Sequence, residues 1–232
     1  MVKKYNVKVR TILIGAGVFV LFALILETIM HRVVLKGPIG PSITGNIWYY
    51  ALYGGLAAGI FEETGRFLAM KFLLKSEPQG ARTAVAYGVG HGGVEMLIIF
   101  GVSMISNLVI SALINAGQAN LILSSVPADA QAQLEGAFAQ LEASTPGTFL
   151  TGLWERASAI IIQIGLSVMV WTAVRKGGKW LWLFPAAILL HLLVDASAVL
   201  LMNSVSMAVL ESIVCAMAVA VGAAAVMLSK KL

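Results

Sequence analysis

Glu62-Glu63-Thr64-Gly65-Arg66 places two adjacent carboxylates and an arginine inside a long apolar stretch. A charge at bilayer depth costs at least ~2.5 kcal/mol on insertion scales, so three of them within five residues need a use. Glu62 stands four residues before Arg66 and Glu63 three, so on a helix the guanidinium can hold either carboxylate. One ion pair accounts for the arginine and one acid. The other acid is left to take and return protons, the work of a general base. His91 and Glu95 are four residues apart, as are His191 and Asp195, which puts each pair on one helix face. Glu155 and Arg156 are sequence neighbours that point to different faces. That predicts no simple pair between them, with Glu155 free to reach a shared site and Arg156 to snorkel or meet another helix.

The segments carrying these residues bring them to a common depth. With ~1.5 Å of rise per residue, counting from Arg82 places His91 ~13 Å into a membrane from the cytoplasmic side. The same count from Lys179 places His191 at ~18 Å, and from Lys75 it places Glu62 and Glu63 at ~18–20 Å. Glu95, Glu155 and Asp195 fall nearer the external side. Each acid–base pair alone could clasp two helices. Several in one layer point to a site.

Composition requires a membrane. Hydrophobic residues make up 59% of the 232 and charged residues 12%, about half the share a water-facing surface carries. The mean hydropathy is +0.90. The apolar runs are continuous rather than alternating, which predicts an all-α, polytopic transmembrane helical bundle forming a single domain over 1–232 and excludes a barrel. The expected spans are 11–35, 46–74, 82–116, 148–174, 180–202 and 206–228. Between the third and fourth, Leu134, Phe138 and Leu141 recur at helical spacing after Pro127-Ala128-Asp129, predicting a short amphipathic helix on the membrane face. Gly88, Gly90, Gly92 and Gly93 around His91 would let another helix approach closely. Glu27 and His31 lie four apart near a helix end and read as an interface pair, Cys215 as a buried small hydrophobe, and Gln163 as a packing hydrogen-bonder.

The net charge of +5 sits at the ends of apolar runs, as a topology signal rather than a nucleic-acid patch. Lys3, Lys4, Lys8 and Arg10, the loop after Lys71, the loop at Arg175–Lys179 and the Lys230-Lys231 end place both termini in the cytoplasm. No cleavable signal peptide is expected, because the first segment is too long for one.

Glu62-Glu63-Thr64-Gly65-Arg66, Gly88-Val89-Gly90-His91-Gly92-Gly93-Val94-Glu95, Trp154-Glu155-Arg156 and His191-Leu192-Leu193-Val194-Asp195 together resemble the CPBP superfamily of intramembrane endopeptidases. That superfamily includes the CAAX prenyl proteases and bacteriocin-immunity proteins, with PrsW-type proteases as relatives, and the chain is most similar to its bacterial YhfC branch. In the CAAX pattern the arginine follows the second glutamate by four residues, whereas Arg66 follows Glu63 by three, so both glutamates stand as candidates for the base. The resemblance implies peptide-bond hydrolysis within a bacterial inner or plasma membrane. Glu62 or Glu63 with His91 would activate a water, and His191 and Asp195 would stabilise the oxyanion, or Asp195 would orient His191. Glu155 and Glu95 complete the candidate set.

On this reading the protein is a glutamate-type protease acting on membrane-embedded or membrane-adjacent peptides, with no cofactor required. The alternative chemistry is a catalytic zinc held by His91 and His191 with Glu95, Glu155 or Asp195. A rival from another class is a proton- or cation-coupled transporter, since buried acids and histidines also build ion pathways. Against it stand the modest size and the absence of a sequence repeat.

Overall fold

The computed structural model describes residues 8–232; Lys3 and Lys4 of the basic amino terminus lie outside the described residues. All regular structure among the described residues is helical. Five helices are long and apolar enough to cross a membrane: α1 (Val9–Leu35), α3 (Ala81–Asn115), the 31-residue α5 (Pro146–Lys176), the Gly178–Leu201 helix whose regular α part is α6 (Leu183–Leu201), and α7 (Met207–Ser229). Between α1 and α3 runs α2 (Ile47–Leu68), and between α3 and α5 runs α4 (Ala128–Glu142). Glu62, Glu63, Arg66 and the Trp48-Tyr49-Tyr50 start keep α2 less apolar than the other five.

Local chemistry sets the ends. Asn46 caps α2 by accepting from the backbone N–H groups of Trp48 at 2.9 Å and Tyr49 at 3.3 Å. Thr145 and Thr148 form a reciprocal capping box at the start of α5, with Pro146 in the first turn, where its missing N–H costs nothing. The basic loop residues gather at one end of the bundle. Arg175 donates to the carbonyls of Leu74, Lys75 and Glu77 and stacks on Trp171 at 4.2 Å, while Lys8 reaches Glu77 at 3.0 Å.

Helix α5 is the centre of the bundle, buried almost continuously from Ile162 to Ala173 and packed against α3, α6 and α7. Helix α1 packs on α3, and α2 on α6. Missing side chains make these crossings close. A Cβ on Gly90 would stand 1.9 Å from the carbonyl oxygen of Ile12, and one on Gly59 would stand 2.8 Å from that of Ile188. Small residues let helix backbones meet in this way where no hydrophobic drive separates protein from lipid. The outer faces carry exposed large apolar side chains such as Leu13, Leu97, Leu108 and Val219. That suits a hydrocarbon solvent and not water.

Helix α3 passes through a π-helical turn at Leu97–Gly101, one residue past Met96 and directly after the Glu95 turn. Helix α4 turns Phe138 inward with Leu134 and Leu141 half-buried, and leaves Glu135 and Glu142 exposed.

Candidate metal centre

Helix α2 delivers Glu62, Glu63 and Arg66 to the bundle interior, α3 His91, and α6 His191; each of the five is at most 7% exposed. Close packing of Gly55 and Gly59 on Leu192 and Ile188 sets His191 beside the acids of α2. Gly88 and Gly92 of α3 do the same for α5, with the Cβ of Gln163 3.0 Å from where a Cβ on Gly92 would be.

The arginine selects Glu63: Arg66 Nη1 donates to Glu63 Oε1, and Nη2 donates to Gln163 Oε1. Glu62 faces His91 instead, with Oε2 2.8 Å from Nε2. Gln163 Nε2 uses its two hydrogens on separate carboxylates, Glu62 Oε2 at 2.9 Å and Glu95 Oε2 at 2.9 Å. Arg156 donates to Glu95 Oε1 at 3.3 Å from the far side. The expectation that Glu155 and Arg156 would not pair is corrected. Arg156 Nη2 donates to Glu155 Oε1, because the long guanidinium curls back along the helix surface while its other nitrogen spans to α3.

His191 sits between two acids. Its Nδ1 lies 3.0 Å from Glu63 Oε1, and its Nε2 lies 3.6 Å from Asp195 Oδ2. The second distance allows attraction but is too long for a hydrogen bond. The candidates thus form two linked groups. Glu62, His91 and Glu95 converge on one side of Gln163, while Glu63, Arg66, His191 and Asp195 lie on the other. Glu155 meets the centre through its pair with Arg156.

Ligand atoms of Glu62, His91 and Glu95 all lie within 4.8 Å of one another, so this cluster can hold a metal ion. A carboxylate oxygen and an imidazole nitrogen at 2.8 Å require a positive centre against them, a proton or a metal ion. One imidazole and two carboxylates are ligands zinc accepts, and three protein ligands leave a fourth position open, as catalytic zinc sites do. The residues present therefore fit a zinc. This cluster contains Glu62 where the sequence-based alternative had His191, which lies against Glu63 instead.

Residues outside the expected set complete the centre. Gln163 is its hub, and the available signal was its position seven residues after Arg156, two turns along the same face. Tyr87 stacks on His91 at 6.0 Å between ring centroids and Phe19 meets it edge-on at 5.2 Å, fixing the imidazole plane. Glu27, expected at an interface, is turned inward at 9% exposure. His31 links it (3.1 Å) to the Tyr53 hydroxyl (2.8 Å).

A cavity of about 320 Å³ adjoins the centre between α3, α5, α6 and α7. Glu95, Gln163, His191 and Asp195 form its inner wall, and Met202 and Met207 lie at its other end, by the α6–α7 turn.

The sequence profile of the YhfC intramembrane metalloprotease family matches residues 1–218. The membrane protein YhfC of Bacillus subtilis (strain 168) is 38% identical over 199 residues, covering 85% of this chain and 75% of its own length. No solved structure matches. A profile matched over nearly the whole chain, and a buried glutamate–histidine cluster at the heart of a helical membrane bundle, lead to one conclusion: this integral membrane protein belongs to the YhfC intramembrane metalloprotease family.

Proposed function

We propose that the protein is a zinc-dependent intramembrane endopeptidase that hydrolyses peptide bonds of membrane-embedded or membrane-adjacent substrates, with Glu62, His91 and Glu95 holding the metal. The observation that carries this is the convergence of those three side chains from two helices, the two carboxylates held by the single amide of Gln163 and His91 set against Glu62. A glutamate acting without metal would use Glu62 and His91 on a water and give Glu95 no part. The recruitment of Glu95 favours the metal.

Zinc in that position supplies Lewis acidity and a strong nucleophile at neutral pH. The protein's own groups do the rest. Gln163 orients both ligating carboxylates, the kind of outer support that tunes metal affinity. The Glu63–Arg66 pair anchors His191 through Nδ1, so that Nε2 is presented to the cavity. From there Nε2 of the imidazolium donates to the scissile carbonyl oxygen as it gains charge, gives its proton to the leaving amine as the C–N bond breaks, and takes one back from the new carboxylic acid. Glu63, rather than Asp195, is the carboxylate that orients His191.

In this reading α2 crosses the membrane as a sixth span, its charges turned inward against α5 and α6. Lys8, Arg10, Lys75, Arg175 and Lys230 mark the cytoplasmic end of a bacterial plasma membrane protein with both termini inside, and α4 lies along the external face.

Metal analysis beside turnover tests the assignment. Purified protein is expected to carry about one zinc, lost in His91→Ala and in Glu62→Gln. His191→Ala keeps the zinc and loses turnover of a membrane peptide by ~10²–10⁴. Full activity after complete removal of metal would overturn the proposal.

A further inference from the structure

Helix α7 brings one more acid to the cavity that the chemistry above does not use. Glu211 is 5% exposed and lines the cavity wall, and its Oε2 has no hydrogen-bond partner among the described residues. The other carboxylates there are all engaged. Glu95 and Glu155 share Arg156, and Asp195 faces His191. Leu210, Val214, Val199 and Ile162 supply the apolar part of the wall beside Glu211, and Arg156, already shared by Glu95 and Glu155, is the one cation among the lining residues. A carboxylate oxygen removed from water without a partner is costly, and a cation brought to it recovers that cost. The complement of such a pocket is an apolar stem with a positive end. Its volume lies at the small end of the ~300–1,000 Å³ typical of ligand pockets, suited to a side chain rather than a whole ligand.

We propose that this cavity is a specificity subsite for a lysine or arginine side chain of the substrate, with Glu211 receiving the cation and Leu210, Val214 and Val199 packing its stem. The inference rests on the protease reading for the word substrate, but the recognition itself needs no hydrolysis. Because the cavity runs from His191 to the α6–α7 turn, the basic residue belongs on the stretch of substrate between the cleaved bond and that end of the bundle. Glu211 determines which peptide is held and takes no part in the bond-breaking step.

Binding measured on chelator-treated, full-length protein in nanodiscs separates recognition from chemistry. The probes are N-acetylated, fluorescent leucine–alanine transmembrane peptides carrying one lysine, moved along the peptide position by position, each beside a norleucine twin. At the best position lysine is expected to bind at least ~10-fold tighter than norleucine, as a hydrogen bond to a charged group allows. Glu211→Gln, which keeps the shape, should bring the two within ~2-fold while zinc uptake is unchanged. Equal binding of lysine and norleucine peptides at every position overturns the inference, as does a preference that survives Glu211→Gln. If that variant fails to fold, the lysine–norleucine comparison on the unmodified protein still decides. A lysine preference in a protein that cleaves no peptide would sink the protease reading alone, and cleavage without preference would sink the subsite alone.

Discussion

Arg66 and Gln163, 97 residues apart in the chain, meet at the centre of the bundle, where Arg66 Nη2 donates to Gln163 Oε1. That one contact fixes which end of the amide faces which partner. With the oxygen committed to the guanidinium, both N–H groups must point to Glu62 and Glu95. The charge pair of α2 thereby positions two candidate ligands on two different helices.

Removing the amide should accordingly weaken metal binding without touching a ligand. Gln163→Leu is expected to lower zinc affinity by ~10–100-fold, the usual cost of losing a group that orients ligands. Competition against a chelator of known affinity measures it. An unchanged affinity would mean that Gln163 packs the helices and nothing more.

The Glu63–Arg66 pair should be strongly interdependent, since both side chains are fully buried. Arg66→Met leaves the buried Glu63 carboxylate with His191 as its sole remaining side-chain partner among the described residues and is expected to destabilise the fold by ~3–5 kcal/mol. The double variant Glu63→Gln/Arg66→Met should lose less than the two single changes added together. Reversible denaturation of all four proteins in mixed micelles reads this out. Additivity within ~0.5 kcal/mol would show the two side chains to be independent.

Two glycines three residues apart in the Gly88–Gly93 run should behave in opposite ways. Gly90→Ala drives a Cβ into the Ile12 carbonyl and cannot be relieved by a rotamer, so α1 must move off α3 and off His91. A loss of ~1–3 kcal/mol is expected, with reduced zinc occupancy. At Gly93 a Cβ meets nothing within 4 Å, so Gly93→Ala should be neutral or raise stability by up to ~1 kcal/mol through helix propensity. Thermal melting of the two variants side by side checks the contrast.

What the sequence determined by itself is everything governed by short range along one helix. The Asn46 cap, the Thr145-Pro146 start, the apolar runs and the i,i+4 pairing of His191 with Asp195 are local, and their physics is legible residue by residue. So is the common level of Glu62, Glu63, His91 and His191 along neighbouring helices, because rise per residue is nearly constant. The choice between Glu62 and Glu63 is different. Spacings of three and four serve Arg66 equally well, and the decision falls to Gln163 and His191 arriving from α5 and α6. The same holds for Glu62 rather than His191 meeting His91 and Glu95, for Glu27 turning inward and for Glu211 entering the cavity. Each depends on the rotation of one helix about its axis relative to another. That rotation is set by where glycines let backbones touch, as Gly90 does on Ile12 and Gly59 on Ile188, and only the packed bundle decides it.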